Sequence, residues 1–466
     1  MGDKDPGARL KEWLTSGQAR LQPLTFPQRE LWENSPVDPG DPANHICSFF
    51  EVQGPITFEQ VKDATAQVLQ RQEVMRTSIL PGRERAVQII RSTGEPEIFY
   101  RELSEEETSP EALKVVMAEC FRRPFDMLRG PLYRLDMLRR GPEDHVLAFT
   151  LHHAIGDGWT LGAFVEDLCT AYIIGVREAG IKFDGATVDG VRSIRESLPP
   201  PPMTYNEWGA AERARWTAAE LQPHLDYWKP RLAGSKKLFD DGTANPDREK
   251  GPLEQWVTAL PDDLADAARK LARQSKSTIF NTLLAVFQLT LYRWTGVDDI
   301  TVGTPVANRS GTSISETMGS FAGIVPLRGR VDPTQPFADR LRRVHERTMD
   351  DFAHAIPFAE LAKALAPPAE PGRHTLFDTR FALQNHPIPD VELPGISTRL
   401  RTVSTGTARF DLGCEFTEDE GGFEVVWLNR PSVVSAADVR ELDHLYREVL
   451  GAVCRQPDIH PASMSV

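Results

Sequence analysis

His145-Val146-Leu147-Ala148-Phe149-Thr150-Leu151 is an almost continuous apolar run. It leads directly into His152-His153-Ala154-Ile155-Gly156-Asp157-Gly158. A short apolar run of this kind predicts a strand buried on both faces. Gly156 and Gly158 end it. The next stretch, 160–172, carries Leu161, Phe164, Val165, Leu168 and Tyr172 on one stripe at helical spacing. The two histidines and the aspartate are therefore expected on a loop between a central strand and a helix.

Working outward, strand and helix patterns alternate on both sides. Helices are predicted over 58–72 and 110–120, and short strands over 85–90 and 97–100. After the stretch 175–203, which lacks periodicity and ends in Pro199-Pro200-Pro201-Pro202, the same grammar resumes. Strands are predicted at 254–260, 300–306, 377–384 and 423–428, and helices at 262–275, 278–294, 337–353 and 436–453. Four prolines favour a stiff, extended connector. The fold class expected is α/β, in two lobes divided at the polyproline: residues 1–198 and residues 199–466.

The composition narrows the function. The 466 residues exceed one ordinary core. Lys+Arg 53 against Asp+Glu 67 gives a net charge of −14, which argues against nucleic acid or an anionic membrane as partner. Five scattered cysteines without a CxxC pair suit reduced thiols and a cytoplasmic location. The first 20 residues lack the apolar core of a signal peptide, and no stretch is read as the roughly 20 apolar residues a membrane span needs.

Neighbouring residues in an extended segment point to opposite sides. His152 and His153 are therefore expected to divide their tasks, one packing inside and the other facing a cavity. The same argument disfavours a shared metal ion. A cavity-facing imidazole titrates near neutrality and can take a proton from an attacking amine or hydroxyl. Asp157 has two readings: it orients the histidine, or it folds back onto a buried arginine. Neither a GxSxG elbow nor a phosphate- or dinucleotide-binding glycine loop is present, so direct transfer without a covalent enzyme intermediate or a bound nucleotide is expected.

At this point the sequence resembles the condensation domains of nonribosomal peptide synthetases, over nearly its whole length and in order. The matching strings are 25–32 (TFPQRELW), 71–79 (RQEVMRTSI), Pro124-Phe125-Asp126 with Gly130-Pro131-Leu132, the HHxxxDG motif at 152–158, 205–208 (YNEW), 302–309 (VGTPVANR) and 381–385 (FALQN). The resemblance implies two chloramphenicol-acetyltransferase-like lobes in a V, with a substrate tunnel at their junction. It implies His153 as the catalytic residue, with His152 and Asp157 mainly structural. Gly158 is expected to allow close substrate approach and to offer its N–H to an oxyanion. Arg309 is expected to pair with Asp157, and Arg76 to form a second buried ion pair; Arg29 and Arg71 read equally well as surface charge.

The resemblance further implies an acyltransferase with no bound cofactor or metal of its own. The donor aminoacyl group would ride on the phosphopantetheine of a peptidyl carrier protein, and a small-molecule amine or alcohol would accept it, giving an amide or an ester. With no adenylation or carrier segment in the sequence, a free-standing member meeting its carrier in trans is expected, of a type also found in enediyne assembly. Arg122-Arg123 and Arg139-Arg140 are candidates for a basic docking patch. A CoA-dependent O-acyltransferase of the same superfamily and a non-catalytic carrier-recruitment module are the competing readings. Two strings depart from the family: Gly323-Ile324 replaces an Asn-Thr pair, and 353–359 (AHAIPFA) replaces HQDxPFE.

Overall fold

A computed structural model of the protein describes residues 6–33, 42–81, 86–178, 187–188, 192–193, 198–239, 254–365, 376–384, 391–393, 396–403, 410–419 and 422–464. The histidine strand spans Asp144–His152, between Tyr133–Gly141 and His45–Gln53. Its apolar run follows from cover on both faces. Leu147, Phe149 and Leu151 face the helices Phe58–Arg71 and Gly158–Glu178, while Val146 and Ala148 face the helix Pro110–Arg122. Phe149 stacks on Phe164 with centroids 3.8 Å apart. Each such ring contributes about 1.5–3 kcal/mol by leaving water.

Both neighbours of the histidine strand run antiparallel to it. Among the described residues, parallel pairing is confined to Ile98–Glu102 with Tyr133–Gly141 in the first lobe, and to the pairs that Thr379–Gln384 makes with Asp299–Val306 and Leu412–Asp419 in the second. The sheets are thus mixed rather than parallel. A run buried on both faces reads alike in either arrangement.

The second lobe is a six-stranded sheet around a separate core. Its central helix, Ile279–Thr295, is buried at every residue from Asn281 to Leu291. Thr278 caps it by accepting from the Asn281 N–H, and Gly296 ends it at φ 76°, a left-handed conformation that favours glycine.

The division at 198/199 needs correcting. The strand Ile396–Val403, far into the second half, pairs antiparallel with His45–Gln53 and extends the first lobe's eight-stranded sheet. Tyr205, Trp208, Ile314, Met318 and Phe321 also join the first core. Without this strand, His45–Gln53 would present an unpaired edge. The helix Gly158–Glu178 is long and apolar enough, by length and composition, to cross a membrane, which the sequence reading did not register. In the fold 78% of its most apolar stretch is buried within the protein.

Candidate active site

The strand ends at His152, and the side chains then alternate as an extended chain requires. His152 is 2% exposed. Its Nδ1 accepts the Ala154 N–H at 3.0 Å, and its ring meets Phe125 and His45 edge to face. The His153 ring is half-buried, held by its backbone N–H bonding the Asn44 carbonyl at 2.6 Å. Its Nδ1 lies 3.5 Å from Ser320 Oγ, in the second half of the chain.

Asp157 caps the helix that follows. Its Oδ1 accepts from the Thr160 N–H at 3.0 Å and the Thr160 hydroxyl at 3.1 Å. Arg309 Nη2 donates to the same oxygen at 3.0 Å, and the two side chains are 2% and 3% exposed. The other oxygen accepts the N–H groups of Phe321 and Ala322 at 3.0 and 3.2 Å. Five donors converge on one carboxylate, and the His153 ring is not among them. Of the two readings of Asp157, the geometry therefore selects the fold back onto a buried arginine.

Arg309 extends the clamp. Nη1 donates to the carbonyls of Ile314 and Thr317, and the guanidinium lies 4.0 Å over the Phe321 ring. The single hydroxyl proton of Thr160, shared between Asp157 and the Gly319 carbonyl, and the Gly319 N–H donating back to Thr160 Oγ1 tie the two segments together. The Tyr205 hydroxyl donates to the Ser320 carbonyl at 2.8 Å and lies 2.6 Å from Thr25 Oγ1. Segment 319–322 is thereby laid against the histidine loop.

A second buried chain supports the loop from behind. Gln28 Nε2 donates to the Ala154 carbonyl and to Gln88; Gln88 donates to Asn206, Asn206 to Glu73, and Glu73 pairs with Arg20. Gln28 and Tyr205-Asn206 stood in family-like strings. Thr160, Ser320 and Gln88 were missed. The Asp-x-x-Thr spacing at 157–160 is a helix-start signal that pointed to Thr160; local sequence held nothing to mark the other two.

Gly319 is the tightest point of the clamp. A Cβ there would sit 2.3 Å from Tyr205 Cδ2 and 2.7 Å from its Cγ, on a ring stacked against Trp208, packed at an angle against Phe321 and held at its hydroxyl. Gly319→Ala is expected to cost about 1–3 kcal/mol in urea denaturation. Because the displaced segment carries Ser320, turnover should fall beyond what the loss of folded protein accounts for.

A sequence profile of the condensation domain matches residues 18–182 and 193–466. The chain belongs to the condensation-domain family. It is 30% identical over 409 residues to phosphinothricin tripeptide synthetase PhsC of Streptomyces viridochromogenes, covering 86% of this chain. It is 27% identical over 447 residues to surfactin synthase subunit 1 of Bacillus subtilis, covering 95%. It spans only 36% and 12% of the length of those two proteins. Among solved structures it resembles the X-domain from teicoplanin biosynthesis (TM-score 0.81, 20% identity, 95% of this chain and 97% of that one). It also resembles the SgcC5 protein from Streptomyces globisporus (TM-score 0.75, 21% identity, 94% and 100%). The two-lobed, chloramphenicol-acetyltransferase-like α/β architecture is the fold they share.

Within this condensation domain two sequence expectations are corrected. Among the described residues Arg76 forms no ion pair. It donates to the carbonyls of Leu69, Gln70, Arg91 and Ser92, tying the end of one helix to the end of a strand. The buried pair lies at Arg71, whose Nη1 meets both Asp167 oxygens at 2.6 and 2.7 Å while Nη2 meets Glu316. Carbonyl clusters take up the hydrogen bonds of a guanidinium, though not its charge, and sequence spacing does not tell them from carboxylates. The basic docking patch is also largely neutralised: Arg123 pairs with Asp136, Arg139 with Glu102, and Arg140 with Glu51 and Asp144.

The two family departures have local causes. A Cβ at position 323 would come within 2.8 Å of Asn308 Nδ2, which donates to the Phe321 carbonyl. Gly323 therefore leaves room for the Asn308 side chain. His354 stacks flat on Tyr227, centroids 3.9 Å apart, and its Nδ1–H donates to the Asp350 carbonyl.

Proposed function

We propose that this condensation domain transfers an aminoacyl group, held as a phosphopantetheine thioester on a carrier protein, to the amine of an acceptor. The observation that carries the reading is the division of labour at the motif. His152 and Asp157 are buried and engaged in holding the loop, and His153 is only partly buried, with its Nδ1 toward Ser320 in the other half of the chain. In this mechanism the amine nitrogen attacks the thioester carbonyl and its proton passes to His153. The C–S bond then breaks, and the proton returns to the leaving thiolate. Gly158 opens its helix, so its N–H has no intrahelical acceptor. Here it helps hold the negative oxygen of the tetrahedral intermediate. Catalytic roles for His153 and Gly158, a tunnel between the lobes, and a carrier arriving in trans are parts of this reading.

Hydroxyl acceptors follow the same chemistry and yield an ester. The test is a panel of amines and alcohols offered with an aminoacyl-loaded carrier, with free aminoacyl-CoA as the parallel donor and products read by mass spectrometry. Amide formed only from the loaded carrier is the expected result. Equal turnover from free aminoacyl-CoA would replace the reading with a CoA-dependent acyltransferase, and product from alcohols alone would replace the amide with an ester.

A further inference from the structure

The surface of the second lobe has a shallow, open recess lined by six arginines: Arg231, Arg328, Arg330, Arg340, Arg343 and Arg347. In a chain of net charge −14 this is a concentrated positive site. Its origin is plain in the fold. Arg340, Arg343 and Arg347 recur at i, i+3 and i+7 on the helix Phe337–Ala353, and so share one face. Arg328 and Arg330 come from the end of the strand Gly323–Arg330, and Arg231 from the end of the helix Ala218–Leu232.

Three carboxylates answer part of that charge. Asp351 takes Arg231 at 2.9 Å, Asp299 takes Arg328 and Arg330 at 2.5 and 3.2 Å, and Asp332 acts on Arg343 at longer range. Arg340 is 3% exposed, yet its three hydrogen bonds all go to neutral acceptors: the carbonyls of Ala285 and Arg330, and Gln288 Oε1. Burial, with Arg343 and Arg347 alongside, pushes its pKa down to about 9. Among the described residues, Arg343 and Arg347 make no hydrogen bond or ion pair. Arg343 is partly buried and Arg347 exposed, with Asp332 and Asp351 acting on them only at longer range; the buried charge of Arg340 has no carboxylate in contact, which is costly unless an anion comes to it.

We propose that this recess binds a phosphate-bearing anion, with Arg340 beneath it and Arg343 and Arg347 closing over it. Forked guanidinium donors suit the several oxygens and multiple charge of a phosphate group. A single concave recess on an acidic protein suits a small ligand and not a nucleic-acid strand. The strand Gly323–Arg330 begins beside the site and meets the recess from Leu327 onward, four residues or roughly 13 Å further along. The anion would therefore sit apart from His153. The inference stands independently of the acyl-transfer reading, because binding is measured without turnover.

The test is calorimetry on the whole chain at fixed ionic strength, with pyrophosphate, inorganic phosphate and coenzyme A titrated separately against a chloride control. One saturable site is expected, with Kd for pyrophosphate below about 1 mM. Arg343→Gln and Arg347→Gln, each outside the buried core, should each weaken binding about tenfold. Arg340→Met should abolish it; should that variant fail to fold, the other two decide. Coenzyme A binding more tightly than pyrophosphate would support an organic phosphate as the ligand, and the reverse order would support a free anion. Absence of saturable binding by all three probes, or undiminished binding by the Arg343→Gln/Arg347→Gln double variant, would overturn the proposal.

Discussion

Asp157→Ala is expected to lose about 3–5 kcal/mol of stability, seen as a lower denaturation midpoint in urea. The magnitude comes from what is left behind. Arg309 stays buried without its carboxylate, and the N–H groups of Phe321 and Ala322 lose their acceptor together with both Thr160 donors. Each buried group left unsatisfied costs about 1–3 kcal/mol. Asp157→Asn is a sharper probe. It keeps one carbonyl oxygen, but it points an amide at donors that need an acceptor, so it should recover only part of the loss. Removing the arginine as well should be less than additive, because the stranded charge disappears with it. A stability change below about 1 kcal/mol for Asp157→Ala would mean that the clamp contributes far less than its geometry implies.

His153→Ala is expected to behave in the opposite way: turnover falls by about 10²–10⁴-fold while the melting curve hardly moves. The residue is partly buried, and the contact between its Nδ1 and Ser320 Oγ, at 3.5 Å, is at the limit of a hydrogen bond. Single-turnover measurement with loaded carrier separates the chemical step from carrier binding. Carrier affinity should be unchanged, so the loss should appear in kcat and not in KM. Ser320→Ala should cost much less, about tenfold or below, because the hydroxyl only adjoins the ring. Turnover by His153→Ala within a fewfold of the parent chain would remove His153 from the chemistry. No turnover by either protein, with carrier binding intact, would favour a recruitment module.

On the proposed reading, the clamp and the imidazole divide one short motif between stability and chemistry. His152 and Asp157 lie on the side where the loop is built into the two cores, and His153 lies on the side where it is not. The aspartate bonds the backbone at 321 and 322, so the position of Ser320 beside His153 depends on it. Damage at Asp157 should therefore reach turnover through geometry, while damage at His153 should not reach stability.

Periodicity alone located the histidine strand, the long helix after it and most of the second-lobe helices, because burial on one or both faces leaves its mark residue by residue. It also divided the two histidines, since adjacent side chains on a strand must part. Sequence could not find the strand Ile396–Val403 inside the first sheet, or Ser320 beside His153. Those contacts join residues about 350 and 167 positions apart, and no local pattern records which edge a strand will meet. The arginines show the same limit: Arg71 and Arg76 sit five residues apart in one family-like string, and only the packed structure assigned carboxylates to the first and carbonyls to the second. The sequence by itself determined which segments fold as helix or strand and which side chains the motif offers for chemistry. Tertiary structure decided which of them are spent on holding the lobes together, because a buried charge takes whatever partner the fold brings within 3 Å or so.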